Sequence, residues 1–310
     1  MTENTSLTAL SGVRVGHWTD AQARTGCTAI LMPPGGAVMS CEVRGGAPGT
    51  RETALLEVTK RVELVHGLCL SGGSAFGLDA ATGVMQHLES IGEGIETRVT
   101  RVPIVPSAVI YDLAVGSSSV RPTAANGLSA ARAASAAPVQ RGLIGAGTGG
   151  MVGKALGFPN AQSGGLGNAL IRVGSARIAA LVVANPFGDV INQAGTVVRG
   201  ASKPDGSRLS DADWLDALLD ASSFEYLKSS NTTLVVIGTD AKLSKVECRL
   251  LSEAAQIGLA RGTRPSHTPF DGDSAFAFAT GEVTAPALAA LIAATQSVTH
   301  SALLNAVDPS

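Results

Sequence analysis

The sequence predicts a single α/β domain in which helices pack on buried sheets. Three observations carry the prediction. Short apolar, β-branched runs recur along the whole chain, helical patterns fall between or after them, and the 37 glycines gather into a few clusters rather than into linkers. The interleaving is not that of tidy βαβ units.

In chain order, strands are read at 27–32, 36–43 and 104–110, then at 168–173, 178–184, 233–239 and 274–280. Helices are read at 75–90, "AFGLDAATGVMQHLES", and at 122–137, a small Ala-rich segment. A third at 211–222 has Ser210 as a cap, with Leu209 and Trp214 spaced as a hydrophobic staple. The fourth, 245–260, opens on the capping box Ser244–Glu247 and would present Val246, Leu250, Ala254 and Ile257 on one face. The last, about 285–304, carries an Ala/Leu face.

Length and composition narrow the class. A chain of 310 residues and 31.2 kDa can bury a large core without disulfides or metals. A net charge of −2, a pI near 6.2 and the absence of any Lys/Arg run exclude a nucleic-acid surface. Mean hydropathy is +0.25 with only 15% charged residues, which raises the question of a membrane. The cleanest apolar run, Ile178–Ala184, is far shorter than the roughly 20 residues a spanning helix needs, and Pro286 interrupts the Ala-rich tail. Strands buried on both faces and a subunit interface account for the apolar excess. "MTENTSLTAL" has neither a basic n-region nor an apolar h-region, so no signal peptide is read. Cys27, Cys41, Cys69 and Cys248 have neither CxxC nor zinc-ligand spacing and are expected to be small buried hydrophobes in a reduced, cytoplasmic compartment. The five histidines are scattered, so neither a metal nor another cofactor is expected.

The motifs divide quickly. Gly145, Gly147 and Gly150 fit G-x-G-x-x-G, but no acid follows about 20 residues on and "GGMVGKALGFP" is a poor helix. A Walker loop fails as well, because five residues separate Gly147 from Gly153 and Ala155 follows Lys154. "SGGSAFG" is not a nucleophile elbow, since Phe76 stands where glycine is needed. Gly72, Gly73 and Ser74 are instead read as a turn into a helix whose free amides could hold an anion or substrate oxygen, with Gly149 and Gly150 as further candidates.

"SSNTTLVVIGTD" (229–240) poses a sharper question: a polar Asn-Thr-Thr step stands at the mouth of an apolar strand. The plain reading is a turn. The chemical reading is that Thr232 becomes an N-terminal residue once the Asn231–Thr232 bond is cut. A free α-amino group, with a pKa of roughly 7.7–8.0, is a base built into the nucleophile's own residue. The same hydroxyl could make the cut by attacking the Asn231 carbonyl, giving an ester that water opens.

Nearly the whole chain resembles the DmpA-type self-processing aminopeptidases, a family that includes β-peptidyl aminopeptidases and nylon-oligomer hydrolases. The resemblance rests on "GVRVGHWTD" (12–20), "RGGAPGTRET" (44–53), "SGGSAFGLDAATGVM" (71–85), "IVPSAVIYDL" (104–113), "GTGGMVGK" (147–154), "VVANPFGDV" (182–190), "NTTLVVIGTDAKLSK" (231–245) and "GLARGTRPSHTPFDGDSAFAFATG" (258–281). It implies an αββα sandwich of the N-terminal-nucleophile-hydrolase type. It also implies self-cleavage into an α chain 1–231 and a β chain 232–310, and a tetramer of αβ heterodimers.

The resemblance implies roles too. Thr232 is the nucleophile. Lys154 keeps its amine neutral or stabilises negative charge, Asn185 donates to the oxyanion, and Tyr111 reaches the same oxyanion or the substrate carbonyl. Asp271 and Asp273 orient the Thr232 hydroxyl and ammonium. By their residues alone these positions also read as a loop lysine, an Asn-Pro turn, a core tyrosine and a solvated Asp-Gly-Asp turn. The implied activity is amide hydrolysis through an acyl-enzyme, as an aminopeptidase or amidase acting on a small substrate with a free amine. The Asn-Thr-Thr and Asp-Gly-Asp motifs lie closest to the nylon-oligomer branch, which stands as the alternative. An acyltransferase like the ornithine acetyltransferases, or a binding protein that keeps only the fold, is more remote.

Overall fold

The structure is a computed structural model that describes residues 4–219 and 231–308, and the statements below concern those residues. Eleven strands form the two main sheets. They are β1 (Arg14–Asp20), β2 (Thr25–Leu31), β3 (Ala37–Val43), β4 (Thr50–Arg51), β5 (Leu64–Val65), β6 (Gly67–Ser71), β7 (Ser107–Val109), β8 (Gly165–Val173), β9 (Ala176–Ala184), β10 (Leu234–Ala241) and β11 (Ser274–Val283). A five-stranded sheet runs β1-β2-β6-β7-β4, and a six-stranded sheet runs β8-β9-β10-β11-β3-β5.

The cores show how these layers stack. Ile30, Leu68 and Leu70 from the first sheet meet Leu181, Val183, Leu234, Val236, Phe276 and Phe278 from the second in one buried cluster. The alternate residues of the second sheet, Val235, Ile237, Ala275 and Ala277, point the other way. They pack on Leu251, Ala255 and Leu259 of α4 (Lys245–Ala260) and on Val298 and Ala302 of α5 (Leu288–Val307). The outer face of the first sheet, through Ala29, Leu31 and Cys69, is covered by Ala80, Val84 and Leu88 of α1 (Ala80–Ser90) and Ala130 of α2 (Ala124–Arg132). The result is an αββα sandwich. Both faces of each central strand are buried, so those strands read as unbroken apolar runs. Fully burying one such Val, Leu, Ile or Phe contributes roughly 1.5–3 kcal/mol. α1 and α2 cross at Gly83 and Gly127, where a Cβ on either would collide with the partner helix's Ala124 or Ala80 carbonyl.

The predicted elements are present with shifted ends. The run at 104–110 is a strand only over Ser107–Val109, and the helix at 75–90 begins as a 3-10 turn, Ser74–Asp79. The helix at 122–137 is shorter, Ala124–Arg132, and the last helix lies three residues later than expected at its end, Leu288–Val307. α3 (Asp211–Leu219) bears out the third helix as far as it is described, and residues 220–222 of that expectation lie outside the described residues. Its staple pair, Leu209 and Trp214, is buried in one small cluster with Phe187. Two full strands, β1 and β6, escaped sequence reading.

One expectation is corrected. α4 does not bury Val246 and Ile257, which are 53% and 42% exposed; its inward face is Cys248, Leu251, Ser252, Ala255 and Leu259. Both stripes satisfy a 3.6-residue period. The inward face brings α4 close to α5: at Gly258 a Cβ would come within 2.6 Å of the Gln296 carbonyl of α5. All four cysteines are free and buried, and burial pushes the thiols of Cys27, Cys41 and Cys248 up to about 12. No helix among the described residues is long and apolar enough to cross a membrane.

Candidate active site

Strand direction builds the site. β10 pairs in parallel with β11, Leu234 opposite Ser274, and antiparallel with β9, Val183 opposite Leu234. The starts of β10 and β11 and the end of β9 therefore lie at one edge of the sheet. Residues 231–233, 271–273 and 185 project from those three ends. A further parallel bridge joins Asn231 to Asp271. Asn231, Thr232, Asn185, Asp271, Asp273 and Lys154 are all buried.

Thr232 has two faces. Towards the protein, its N–H donates to the Asn185 carbonyl at 3.0 Å. Towards a cleft of about 270 Å³, it forms part of a lining that includes Ala47, Pro48, Ser74, Val109 and Tyr111. Across the Asn231–Thr232 peptide, the Thr232 hydroxyl donates to the Asn231 carbonyl oxygen at 2.5 Å, and the Gly272 N–H donates to the same oxygen at 2.7 Å. The carbonyl oxygen thus carries two donors, the adjoining hydroxyl and a backbone amide that polarises it. Gly272 must be glycine for this approach, since a Cβ would lie 2.5 Å from the Ala47 carbonyl and 2.8 Å from Thr232 Oγ1.

Lys154 enters from the loop after Met151–Val152, pinned to the chain following Asn185 by Gly153 N–H to Gly188 carbonyl and Lys154 N–H to Phe187 carbonyl bonds, both 2.9 Å. Its Nζ donates to the Asn185 carbonyl at 3.0 Å and to Asn185 Oδ1 at 2.8 Å. The first acceptor is the one that holds Thr232 N–H, so the Lys154 side chain and Thr232 share a partner. Burial drives the Lys154 pKa down from 10.5 to about 7, against the opposing pull of Asp271 and Asp273. A lysine so placed is neutral for much of the physiological range and can exchange a proton with its surroundings.

The other expected residues come together around the same strand ends. Asn185 has its Oδ1 occupied by Lys154 and by the Met151 N–H at 3.0 Å, and its amide nitrogen faces the Tyr111 carbonyl at 3.3 Å. Tyr111 therefore meets Asn185 through its backbone while its side chain borders the cleft. Asp271 receives Phe187 N–H at 3.1 Å and both the N–H and the hydroxyl of Thr268, at 3.0 and 2.5 Å. Burial first, then the charge of Asp273, pushes its carboxyl up to about 6. Asp273 receives Thr233 N–H at 2.7 Å on one oxygen and His267 on the other. The two aspartates thus hold main chain around Thr232: Asp273 the Thr233 N–H, and Asp271 the N–H groups of Phe187 and Thr268.

The free-amide reading of the glycine turn needs correction. Gly72 N–H donates to the Gly26 carbonyl at 2.8 Å, Gly73 N–H to Asp112 Oδ1 at 2.7 Å and Ser74 N–H to the Ile110 carbonyl at 3.0 Å. Those donors are spent within the fold, and the turn contributes Ser74, left-handed at φ +54°, to the wall of the cleft. Gly150 donates to the Gly147 carbonyl, and its absent Cβ admits the Ala184 carbonyl; Gly149 packs in the same way on Arg24 and Asp112. His267, Thr268 and Gly272 were overlooked as site residues. "SHTPFDGD" placed them within six residues of the aspartates, which was the available signal.

Comparisons with known proteins bear on family and fold. Residues 5–308 match the model for peptidase family S58. An uncharacterized aminopeptidase of Mycobacterium bovis is 42% identical over 93% of this chain and 85% of its own length. A 6-aminohexanoate-oligomer endohydrolase of Paenarthrobacter ureafaciens is 33% identical over 89% of this chain and 75% of its own. Among solved structures, the L-aminopeptidase D-Ala-esterase/amidase of Ochrobactrum anthropi, described as a variant of the N-terminal-nucleophile hydrolase fold, aligns with a TM-score of 0.72. That alignment has 21% identity and covers 99% of this chain and 87% of the other. Sandwich, sheet-edge site and family match converge: the chain belongs to peptidase family S58 and is a hydrolase of peptide or linear amide bonds.

Proposed function

We propose that the protein is an aminopeptidase or amidase that cuts its own chain between Asn231 and Thr232 and then works through an acyl-enzyme on Thr232. One observation carries the reading: the Thr232 hydroxyl and the Gly272 N–H converge on the Asn231 carbonyl oxygen, at 2.5 and 2.7 Å, beside a cleft that Thr232 itself lines. In the first stage, Oγ1 adds to the Asn231 carbonyl carbon while the Gly272 amide stabilises the oxyanion. The C–N bond breaks, the nitrogen takes the proton that Oγ1 gives up and becomes the Thr232 amine, and water opens the ester to free the Asn231 carboxylate and restore the hydroxyl.

In the second stage the amine, held on the Asn185 carbonyl next to Lys154, accepts the hydroxyl proton as Oγ1 attacks a substrate amide. The leaving amine takes that proton, and water completes hydrolysis. Asn185 has an amide nitrogen for the substrate oxyanion once the long contact with Tyr111 yields. The substrate class is a short amide carrying a free amine. The 33% identical oligomer endohydrolase supports a second reading, a linear 6-aminohexanoate oligomer as substrate. The single catalytic unit 1–310 and a tetramer of cleaved heterodimers belong to the same proposal.

An intact-mass spectrum of the purified, denatured protein tests the first stage. Chains corresponding to 1–231 and 232–310 are expected, and a persistent 31.2 kDa species would overturn it. Turnover of amino-acid p-nitroanilides beside aminohexanoate oligomers separates the two substrate readings.

A further inference from the structure

His267 is not among the residues that sequence reasoning assigned, yet it ends a chain of contacts leading to Thr232. Its Nδ1 meets Asp273 Oδ2 at 2.8 Å, and its backbone N–H reaches the same oxygen at 3.3 Å. The other carboxylate oxygen, Oδ1, receives the Thr233 N–H at 2.7 Å. On the far side, Nε2 of His267 faces the Gln256 carbonyl at 3.3 Å, while Gln256 Nε2 donates to the Asp273 and Glu42 carbonyls at 3.2 and 3.0 Å.

The Thr232–Thr233 peptide matters more after self-cleavage than before. Once the bond to Asn231 is gone, that peptide is the sole covalent tether of Thr232. Whatever holds the Thr233 N–H then helps set the direction of the hydroxyl, and a misplacement of about 1 Å is enough to cost on the order of 10²-fold in rate. We propose that His267 is a positioning residue for Thr232: it holds Asp273 in place, and Asp273 in turn holds the Thr232–Thr233 peptide. The inference rests on the reading of Thr232 as nucleophile.

The protonation state follows from the surroundings. Both ring nitrogens face oxygen acceptors, and only the imidazolium donates to both. Burial lowers the His267 pKa, but the bond and charge of Asp273 and the Gln256 carbonyl outweigh it, and the net shift is upward. Arg44, ion-paired with Glu42, is the cation that opposes it. His267 also takes a left-handed backbone, φ +53°, which asparagine tolerates better than most residues.

The test compares His267→Ala and His267→Asn in the full chain, with kcat normalised to the cleaved fraction. Asparagine places an amide donor near the position of Nδ1 and accepts the backbone; alanine offers no donor. His267→Ala is expected to slow self-cleavage and lower kcat about 10–100-fold with KM changed less than about twofold, and His267→Asn to recover most of the loss. The wild-type profile of kcat/KM should carry an alkaline limb, from loss of the imidazolium proton, that His267→Asn lacks. Unchanged turnover in His267→Ala, or equal losses in both variants, overturns the proposal. If His267→Ala does not fold, an alkaline limb retained in His267→Asn overturns it instead. Thr232→Ala separates the two levels: cleavage or turnover in that variant defeats the nucleophile assignment itself, whereas an inactive Thr232→Ala beside a normal His267→Ala defeats only the role of His267.

Discussion

Lys154→Met should stabilise the fold at neutral pH while abolishing activity, and the size of the effect follows from burial. Lys154 is 4% exposed, and its pKa falls from 10.5 to about 7 on folding. A group lowered in this way destabilises the folded state fully below its folded pKa, and the penalty fades as pH rises towards the unfolded value. At about 1.36 kcal/mol per unit, the cost is on the order of 4 kcal/mol at pH 7 and about 1 kcal/mol at pH 9.5. Methionine of similar length carries no such cost. Its substitution strands no acceptor, because the Asn185 carbonyl keeps Thr232 N–H and Asn185 Oδ1 keeps Met151 N–H. The lost Nζ bonds reduce the gain at every pH, so the pH-dependent part is the cleaner quantity. Above pH 7, Asp271, held up to about 6, is mainly ionised and contributes little to it. The comparison belongs in a Thr232→Ala background, so that both proteins carry the same intact chain. Urea denaturation at the two pH values should show Lys154→Met gaining about 3 kcal/mol more, relative to its parent, at pH 7 than at pH 9.5. A difference that does not change with pH would refute the desolvation of Lys154 and, with it, its place as a neutral amine beside Thr232.

Other expectations concern the reaction itself. Asn185→Ala should lower turnover by roughly 10²–10³-fold, the usual cost of one oxyanion donor, and unchanged turnover in steady-state assays would remove it from the site. Gly272→Ala, whose methyl would press on Thr232 Oγ1 and the Ala47 carbonyl, should leave uncleaved chain in the mass spectrum; normal cleavage would deny that self-cleavage needs the close approach glycine allows here. With Lys154 titrating near 7, kcat/KM should fall as pH drops below that value, and a flat profile from pH 5.5 to 8 would contradict the coupling of its proton to catalysis.

The site's roles were legible through the family resemblance, and the strand pattern showed only that several of its residues lie at strand ends. The apolar runs 178–184, 233–239 and 274–280 located β9, β10 and β11, and the polar residues flanking them are Asn185, Asn231–Thr233 and Asp271–Asp273. A buried strand permits few polar groups at its mouth, so those present attract a chemical reading. β1 and β6 escaped because Gly16, Thr19 and Gly67 break the apolar pattern. Gly16 is required by packing rather than by propensity, since a Cβ there would collide with the Ala130 carbonyl of α2, while Gly67 sits tightly against Leu88 and Val84 of α1. His267 was passed over because its nearness to Asp273 along the chain does not reveal a contact, and its other partner, Gln256, lies on α4.

Local chemistry, written along the chain, was enough to determine the layered α/β class, the capping box Ser244–Glu247 and the presence of Thr232 and its neighbours at strand ends. Those features depend on periodicity and on residues a few positions apart, which a linear sequence displays directly. Tertiary structure decided which face of α4 is buried, that the amides of Gly72, Gly73 and Ser74 are already spent, and that the aspartates grip main chain while Lys154 shares the Asn185 carbonyl with Thr232. Each of these depends on contacts between distant parts of the chain: the pairing of β6 with β2 and β7 for the glycine turn, helix packing for α4, and the register of β10 between β9 and β11 for the aspartates and Lys154. The charge state of Lys154 belongs to the same group: the lysine is ordinary as a residue, and becomes a near-neutral amine only where the folded layers exclude water from it.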